Sequence, residues 1–215
     1  MGRSGIRLVS FDLDGTLLDT SKGIWHTMEK TASIMGFSRE LTKEEKFRFV
    51  GPPLKEGFRI VYGLEGEKRN DAVDLYRKIY KEEGIFMYSF YPGLEETLHA
   101  LKDKGYMLTV STLKDERAAR SLISSLPFAS LFDLVHGSDQ GISMGKKEIL
   151  ECSIRELGVS PSETVLVGDS ESDEKGAYSA EARFVAVSWG FGFPSGPPEP
   201  CAHVPQDLIS IIDNI

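Results

Sequence analysis

Short apolar and β-branched runs alternate along most of the chain with longer stretches that repeat apolar residues at helical spacing. Five such runs predict buried parallel strands, the last of them weakly: Ile6–Phe11, Met107–Ser111, Thr164–Val167, Phe184–Val187 and Leu134–Val135. Apolar stripes predict helices over Leu94–Lys104 and Lys147–Leu157. Strands that alternate with helices of this length predict βαβ units and an α/β fold with a doubly wound, Rossmann-like parallel sheet.

The segment over residues 20–88 interrupts this alternation. It shows helical periodicity but no convincing strand, and it follows the first predicted strand. We therefore expect a small α-helical cap domain over residues 20–88, inserted into an α/β core made of residues 1–19 and 89–215. The Gly- and Pro-rich run Trp189–Pro200 predicts a loop.

Two carboxylates stand where the first predicted strand ends. Asp12 and Asp14 follow an apolar strand directly, and Gly15 and Thr16 come next. Open α/β sheets bind ligands outside the carboxyl ends of their strands, and a glycine lets the backbone approach a ligand closely. A lone pair of this kind is common in loops, but the preceding strand and the Gly-Thr that follows make a ligand site the better interpretation.

A second acidic pair follows another strand near the other end of the chain. The strand around Val165 ends in Gly168 and Asp169, and Asp173 lies four residues further on. If this strand neighbours the first, three or four carboxylates converge and repel one another unless a cation binds. Oxygen ligands without His or Cys favour a hard ion such as Mg²⁺. The alternative is that Asp169 and Asp173 only cap the next helix.

A hydroxyl pair and a lysine complete the candidate chemistry. Ser111 and Thr112 end a predicted strand, and a helix that begins near Asp115 offers free N–H donors. Lys146, with Lys147 beside it, lies just ahead of a predicted helix, where an ammonium could neutralise both a carboxylate and a phosphate. Considered singly, a loop lysine is more often a solvated surface residue, and only its position in the series of motifs favours a role in the site.

This series of motifs resembles the haloacid dehalogenase-like hydrolase superfamily, and within it the phosphoglycolate phosphatase-like branch. Residues 11–20, FDLDGTLLDT, match the first motif of that family, and residues 168–173, GDSESD, match its fourth. The resemblance covers nearly the whole chain, including a helical cap between the first and second motifs. It implies a Mg²⁺-dependent phosphatase that acts on a small phosphorylated metabolite.

The resemblance also implies a role for each matching residue. Asp12 would attack phosphorus to form an aspartyl-phosphate, and Asp14 would act as general acid and then as general base. Mg²⁺ would be held by Asp12, the Asp14 carbonyl and Asp169. Asp173 would bind it directly or through water. Thr112 and Lys146 would bind the phosphoryl group, and we place Gly15 and Thr16 among the substrate-binding residues.

Two motifs depart from the usual family pattern. After the second-motif hydroxyl, Leu113–Lys114 stands where the family often has Asn-Lys, so Ser111 could bind phosphate instead of Thr112, which we favour. The third motif often reads Lys-Pro-x-Pro, whereas this chain has Gly-Lys-Lys-Glu. Alignment on the following apolar helix position selects Lys146 over its neighbour.

Other activities are possible on the same scaffold. A phosphonatase needs a cap lysine that forms a Schiff base, and Lys55 in the segment Gly51–Lys55 is the candidate. The same lysine could instead contact an anionic leaving group and contribute to selectivity, or it could be solvated. A sugar-phosphate mutase is disfavoured because Gly168 precedes Asp169 where mutases have Glu, and a non-catalytic binding protein is disfavoured because every acidic motif residue is present.

Charge and composition indicate which classes of binding partner and which location to expect. The chain has 25 Lys and Arg against 33 Asp and Glu, a net charge of −8, and no dense basic tract, so nucleic acid is not an expected partner. No apolar run approaches the ~20 residues of a membrane helix, and no signal peptide is evident. With two cysteines expected as free thiols, a cytoplasmic location is predicted. The substrate and the oligomeric state stay open.

Overall fold

A computed structural model describes residues 5–138, 144–193 and 196–215. Eight strands are present in that part of the chain: β1 (Leu8–Phe11), β2 (Leu18–Asp19), β3 (Ser89–Phe90), β4 (Met107–Asp115), β5 (Leu134–Ser138), β6 (Thr164–Gly168), β7 (Arg183–Val187) and β8 (Cys201–Ala202). The helices are α1 (Ser21–Ile34), α2 (Lys43–Phe47), α3 (Leu54–Tyr62), α4 (Gly66–Glu82), α5 (Leu94–Asp103), α6 (Glu116–Ser124), α7 (Lys146–Leu157), α8 (Glu171–Ser179) and α9 (Asp207–Asn214). Single 3₁₀ turns cover Gly84–Phe86, Ala129–Leu131 and Pro161–Glu163.

Six strands form one sheet in the order β5-β4-β1-β6-β7-β8, and β2 pairs with β3 separately. Every neighbouring pair in the six-stranded sheet is parallel. The chain builds the sheet outward from β1 in one direction through β4 and β5, then in the other through β6, β7 and β8. The predicted doubly wound parallel sheet is therefore confirmed, and its switch point lies between β1 and β6.

The central strands are buried because helices cover the sheet. Every residue of β1 and of β6 is buried, as expected for parallel strands whose side chains all meet other apolar groups. On one side, Leu8 and Leu166 join a cluster with Leu150 of α7, Ala177 of α8 and Phe184 of β7. This packing fixes the ends of β1 and β6, from which the acidic residues extend.

Several element bounds differ from the sequence prediction. The weak strand candidate is a full strand, β5, and β4 continues to Asp115 with a register shift after Ser111. Lys146 does not precede the third-motif helix but opens it, because Gly145 is the N-cap and its N–H donates to the Glu148 carboxylate at 2.9 Å. Strand β8, only two residues long, was not predicted because so short a run carries no alternation pattern.

The chain folds as two compact units, one of Met1–Leu18 with Phe90–Ile215 and the other of Asp19–Ser89. The second unit is helical, and its centre is aromatic. Phe58 packs edge-to-face on Phe49 and on Tyr76, with ring centroids 5.0 Å and 6.0 Å apart. Such large buried rings give this short segment a core of its own.

None of the described helices could cross a membrane. The longest, α4, has 17 residues and carries charged side chains along its length. A spanning helix needs about 20 predominantly apolar residues.

Candidate active site

Asp12 and Asp169 lie at the same edge of the sheet because β1 and β6 are neighbours. Phe11 pairs with Val167, and the Asp12 N–H donates to the Val167 carbonyl at 2.9 Å. The structure brings the side chain of Asp173 to the same place. Each of the three carboxylates offers an oxygen, and these oxygens all lie within 4.8 Å of one another. We call Asp12, Asp169 and Asp173 the acidic cluster.

Asp173 has two structural roles. It is the third residue of α8, and its Oδ2 accepts from the Ser170 N–H at 3.1 Å and from the Ser170 hydroxyl at 2.6 Å. Its other oxygen, Oδ1, lies 2.8 Å from the ammonium of Lys146. From the sequence, helix capping was an alternative to a ligand role for Asp173. In the structure one oxygen of Asp173 caps the helix while the other faces the acidic cluster.

Lys146 is the ammonium at the centre of the site. Its Nζ lies 2.5 Å from Asp12 Oδ1 and donates to the Ser111 carbonyl at 2.9 Å, and only 3% of the side chain is exposed. By contrast, 44% of the Lys147 side chain is exposed. Of the two candidate lysines, the structure brings only Lys146 to the acidic cluster.

The acidic cluster with Lys146 has an unbalanced charge. When all are ionised, three carboxylates and one ammonium leave two negative charges in a buried site. Burial raises the pKa of Asp12 from 3.8 to about 7, with Lys146 opposing the rise and Asp173 adding to it. Burial, followed by the charges of Asp12 and Asp173, holds the pKa of Asp169 well above its usual range. A single divalent cation would balance the two charges.

The donor chemistry fits a hard divalent cation. All three ligand candidates are carboxylates, with no His or Cys among them, and all three are buried. Oxygen donors of this kind suit Mg²⁺. Asp12, Asp169 and Asp173 could therefore hold a metal ion; the Asp14 carbonyl as a fourth ligand stays a prediction.

The carboxylate of Asp14 pairs with Lys114. The Lys114 ammonium lies 2.9 Å from Asp14 Oδ1 and 2.7 Å from Asp14 Oδ2, with side chains 9% and 13% exposed. From the sequence, Lys114 was noted only as part of a departure from the family motif. The signal in the sequence was that Lys114 closely follows Ser111 and Thr112, the hydroxyl residues at the end of a predicted strand.

The two candidate hydroxyls differ in their contacts. The Ser111 hydroxyl accepts from the Ser10 hydroxyl at 2.8 Å, between β4 and β1. The Thr112 hydroxyl oxygen accepts from the Lys114 N–H at 3.2 Å. Both residues are buried, so burial alone does not choose between them.

Gly15 and Thr16, predicted to bind substrate, lie against Asp169. Gly15 has φ +96°, and a Cβ there would lie 2.8 Å from Asp169 Cγ, so only glycine fits. The Thr16 hydroxyl is 3.4 Å from Asp169 Oδ1. Sequence reasoning missed two further contacts: Trp189 Nε1 donates to the Thr16 carbonyl at 3.1 Å, and the Phe191 N–H donates to Asp169 Oδ2 at 2.7 Å.

Lys55 lies in the Asp19–Ser89 unit, apart in sequence from all of these residues. It is exposed in the first turn of α3, after Gly51, whose φ is +100°. Its contribution to selectivity, or to a Schiff base, stays a prediction.

A family model described as haloacid dehalogenase-like hydrolase matches residues 9–187, a range that contains the whole acidic cluster. The chain belongs to this family. The resemblance drawn from the first and fourth motifs is thus confirmed. Lys146 also lies within the matched range.

This haloacid dehalogenase-like hydrolase is similar to proteins with several named activities. It is 30% identical to a phosphoglycolate phosphatase of Aquifex aeolicus over 97% of this chain and 98% of that protein. It is also 30% identical to a 5'-nucleotidase of Pseudomonas aeruginosa, over 86% of this chain and 83% of the relative. The crystal structure of a predicted phosphatase from Clostridium acetobutylicum matches with a TM-score of 0.88 at 29% identity, covering 96% of this chain and 98% of the other.

Proposed function

We propose that this hydrolase is a Mg²⁺-dependent phosphatase that hydrolyses a small phosphorylated metabolite through an aspartyl-phosphate on Asp12. The observation that carries the proposal is the buried acidic cluster, whose charge exceeds that of its single lysine by two when all three carboxylates are ionised. A divalent cation restores neutrality and lets a carboxylate meet a phosphate dianion. The names of the relatives, a phosphoglycolate phosphatase and a 5'-nucleotidase, support the same reaction class.

In this proposal Asp12 is the nucleophile. Its Oδ1 is held by Lys146 at 2.5 Å, which fixes the carboxylate and offsets its charge. One carboxylate oxygen forms a bond to phosphorus, and the bond from phosphorus to the leaving oxygen breaks. Bound Mg²⁺ would supply charge stabilisation to the transferring phosphoryl group. The lysine remains beside the new acyl phosphate and offsets the charge on the phosphoryl oxygens.

Asp14 is the proposed proton donor and acceptor. It would give a proton to the leaving alkoxide and later take one from the water that hydrolyses the aspartyl-phosphate. Lys114, which pairs with both Asp14 oxygens, would hold that group in place as the base, and one of the two contacts would give way when Asp14 carries the proton it donates. A fixed acid–base group of this kind contributes about 10²- to 10⁴-fold to turnover.

Thr112 is the proposed hydroxyl donor to the phosphoryl group, with Ser111 as the alternative. Each of the two hydroxyls accepts one hydrogen bond and keeps its own proton, but Thr112 accepts from the Lys114 N–H of its own strand. The Ser111 hydroxyl is already in contact with Ser10 within the sheet. This difference favours Thr112.

The proposed substrate is a small phosphorylated metabolite, with no single compound named. The named activities of the relatives differ, and a third relative is a pyrophosphatase of Bacillus velezensis. Residues 20–88 are proposed as the cap that selects among such compounds, with Lys55 as a contact to an anionic leaving group. No nucleic acid or membrane is part of the proposal, and a cytoplasmic location stays a prediction.

The test combines a substrate screen with trapping of the intermediate. We expect Mg²⁺-dependent release of phosphate from at least one member of a panel of phosphorylated metabolites, and acid quenching with ³²P-labelled substrate should leave label on the protein. Asp12→Asn should carry no label, whereas Asp103→Asn, the same change on an exposed helix residue, should behave as the unaltered protein. Label retained on Asp12→Asn would refute the nucleophile assignment.

A further inference from the structure

The turn formed by Trp189–Gly192 connects the two halves of the site. It follows β7, and its Phe191 N–H donates to Asp169 Oδ2 at 2.7 Å while its Trp189 indole N–H donates to the Thr16 carbonyl at 3.1 Å. One short segment therefore contacts both the acidic residue after β6 and the loop after β1. We call this segment the Trp189–Gly192 turn.

Two glycines let the turn approach Asp169 this closely. A Cβ on Gly190 would lie 2.5 Å from Asp169 Cγ, and a Cβ on Gly192 would lie 2.5 Å from Ser170 Cβ and 3.0 Å from the Asp169 carbonyl. Neither glycine has its φ in the left-handed region. Steric clearance, and not backbone conformation, is therefore what requires glycine at both positions.

We propose that the Trp189–Gly192 turn is a positioning element for the cation site. This inference rests on the proposed function, since it presupposes a cation held by the acidic cluster. The Phe191 N–H fixes the rotation of the Asp169 carboxylate through Oδ2. The Trp189 indole fixes Thr16, whose hydroxyl lies 3.4 Å from the other oxygen, Oδ1. Both carboxylate oxygens are thus oriented from the same turn.

A backbone donor suits this role because it adds no charge and cannot rotate away. Lys146 already supplies the only ammonium within bonding distance of the acidic cluster among the described residues. A second cation there would compete with the metal, whereas an amide N–H orients the carboxylate and leaves its charge for the ligand. Groups that orient metal ligands without touching the metal themselves typically account for about 10- to 100-fold in metal affinity.

Mg²⁺ titration of the intact protein by isothermal calorimetry tests the proposal, with MgCl₂ as the only ligand. Trp189→Phe removes the indole donor and keeps an aromatic ring, and Gly190→Ala pushes Asp169 out of place. We expect the Kd for Mg²⁺ to rise about tenfold in Trp189→Phe and up to about 100-fold in Gly190→Ala. Trp25→Phe is the matched control, because Trp25 Nε1 also donates to a carbonyl, that of Lys46, at 3.1 Å. Its Kd should stay within about twofold of the unaltered protein, since it loses the same kind of bond in a different unit.

The outcomes separate this inference from the proposed function. Unchanged Mg²⁺ affinity in folded Trp189→Phe and Gly190→Ala would overturn the positioning role and leave the cation site standing. An equal loss in Trp25→Phe would overturn it too, because general destabilisation would then explain the effect. If Gly190→Ala does not fold, Trp189→Phe alone decides. Failure of the unaltered protein to bind Mg²⁺ would instead refute the cation site, and the inference with it.

Discussion

The ammonium of Lys114 lies within 2.9 Å of both carboxylate oxygens of Asp14. The two residues come from the ends of neighbouring strands, β4 and β1, and both side chains are largely shielded from water. A shielded ion pair with two short contacts restricts its carboxylate far more than an exposed pair would. Lys114 is therefore well placed to orient the proposed acid–base group.

Lys114→Met should lower kcat by about 10- to 100-fold with little change in KM, because Asp14 would lose the group that orients it. Steady-state kinetics on the best substrate of the screen measures both parameters. Lys147→Met is the control, since Lys147 is an exposed lysine on α7 and should be silent. A wild-type kcat in Lys114→Met would show that the ion pair has no part in turnover.

The raised pKa of Asp12 predicts how Mg²⁺ binding depends on pH. Burial moves this pKa from 3.8 to about 7 in the metal-free protein, and a cation binds the ionised carboxylate. Mg²⁺ affinity should therefore increase as pH rises from about 5 to about 8, with protons released on binding. Calorimetry in two buffers of different ionisation enthalpy counts those protons. Affinity that is flat across this range would contradict the raised pKa.

The same shift affects the stability of the metal-free protein. Because the unfolded chain loses the Asp12 proton near pH 3.8 and the folded chain near pH 7, the unfolded state binds fewer protons between these values. The contribution of Asp12 to the free energy of unfolding thus falls as pH rises through this window. In EDTA, the Tm of the unaltered protein should fall between pH 4 and pH 7 more steeply than the Tm of Asp12→Asn, as measured by scanning calorimetry. Parallel curves would argue against the shift.

Gly176→Ala should destabilise the protein although it lies in a helix. Alanine ordinarily stabilises a helix by about 1 kcal/mol over glycine. Here the new Cβ would lie 2.6 Å from both Cβ and Cγ of Lys146. These Lys146 atoms are next to its backbone and cannot move aside easily. Overpacking of this kind costs about 1–3 kcal/mol. We expect a net loss of up to about 2 kcal/mol in urea unfolding, together with lower kcat.

Ser179→Ala is the matched control for that variant, since Ser179 is an exposed residue of the same helix, α8. It should leave kcat unchanged and stability within about 0.5 kcal/mol. A Gly176→Ala protein more stable than the unaltered chain would mean that Lys146 adjusts freely, and that its placement does not depend on the glycine.

Paired substitutions distinguish the two candidate hydroxyls. Thr112→Val should lower kcat about 10²-fold, because one preorganised donor to the transferring phosphoryl group is lost. Ser111→Ala should lower it less than tenfold, since the Ser111 hydroxyl contacts Ser10 within the sheet. Steady-state kinetics on both variants, with circular dichroism to verify folding, gives the answer; the reverse order would assign the role to Ser111.

The sequence predicted the parts of the site that follow from strand position. Apolar runs that end in Asp12 and in Asp169 indicate strand ends at one edge of a parallel sheet, and β1 and β6 are indeed neighbours. A resemblance to a known family selected Lys146 over Lys147, and the structure brings Lys146 to Asp12. The strand ends could be predicted because periodicity and strand direction are local properties of the chain, whereas the pairing of β1 with β6 was a condition that the sequence left open.

Other contacts could not be predicted, for physical reasons. The pairing of Lys114 with Asp14 depends on how β4 continues past Ser111, where its register shifts. The Phe191 contact uses a backbone N–H, which every residue except proline possesses, so side-chain identity carries no signal for it. Gly190 was interpreted as part of a loop, because steric clearance becomes visible only when its neighbour is known.

The place of β1 between β4 and β6 also determines when the site can form during translation. The strand that leads into the proposed nucleophile, Asp12, leaves the ribosome well before both of its flanking partners, which are synthesised much later. Until β6 has been made and has docked, a nascent chain holds Asp12 without the carboxylates that would share a cation with it. Prematurely terminated products that end before Thr164 consequently lack Asp169 and Asp173, two of the three carboxylates proposed to hold the cation.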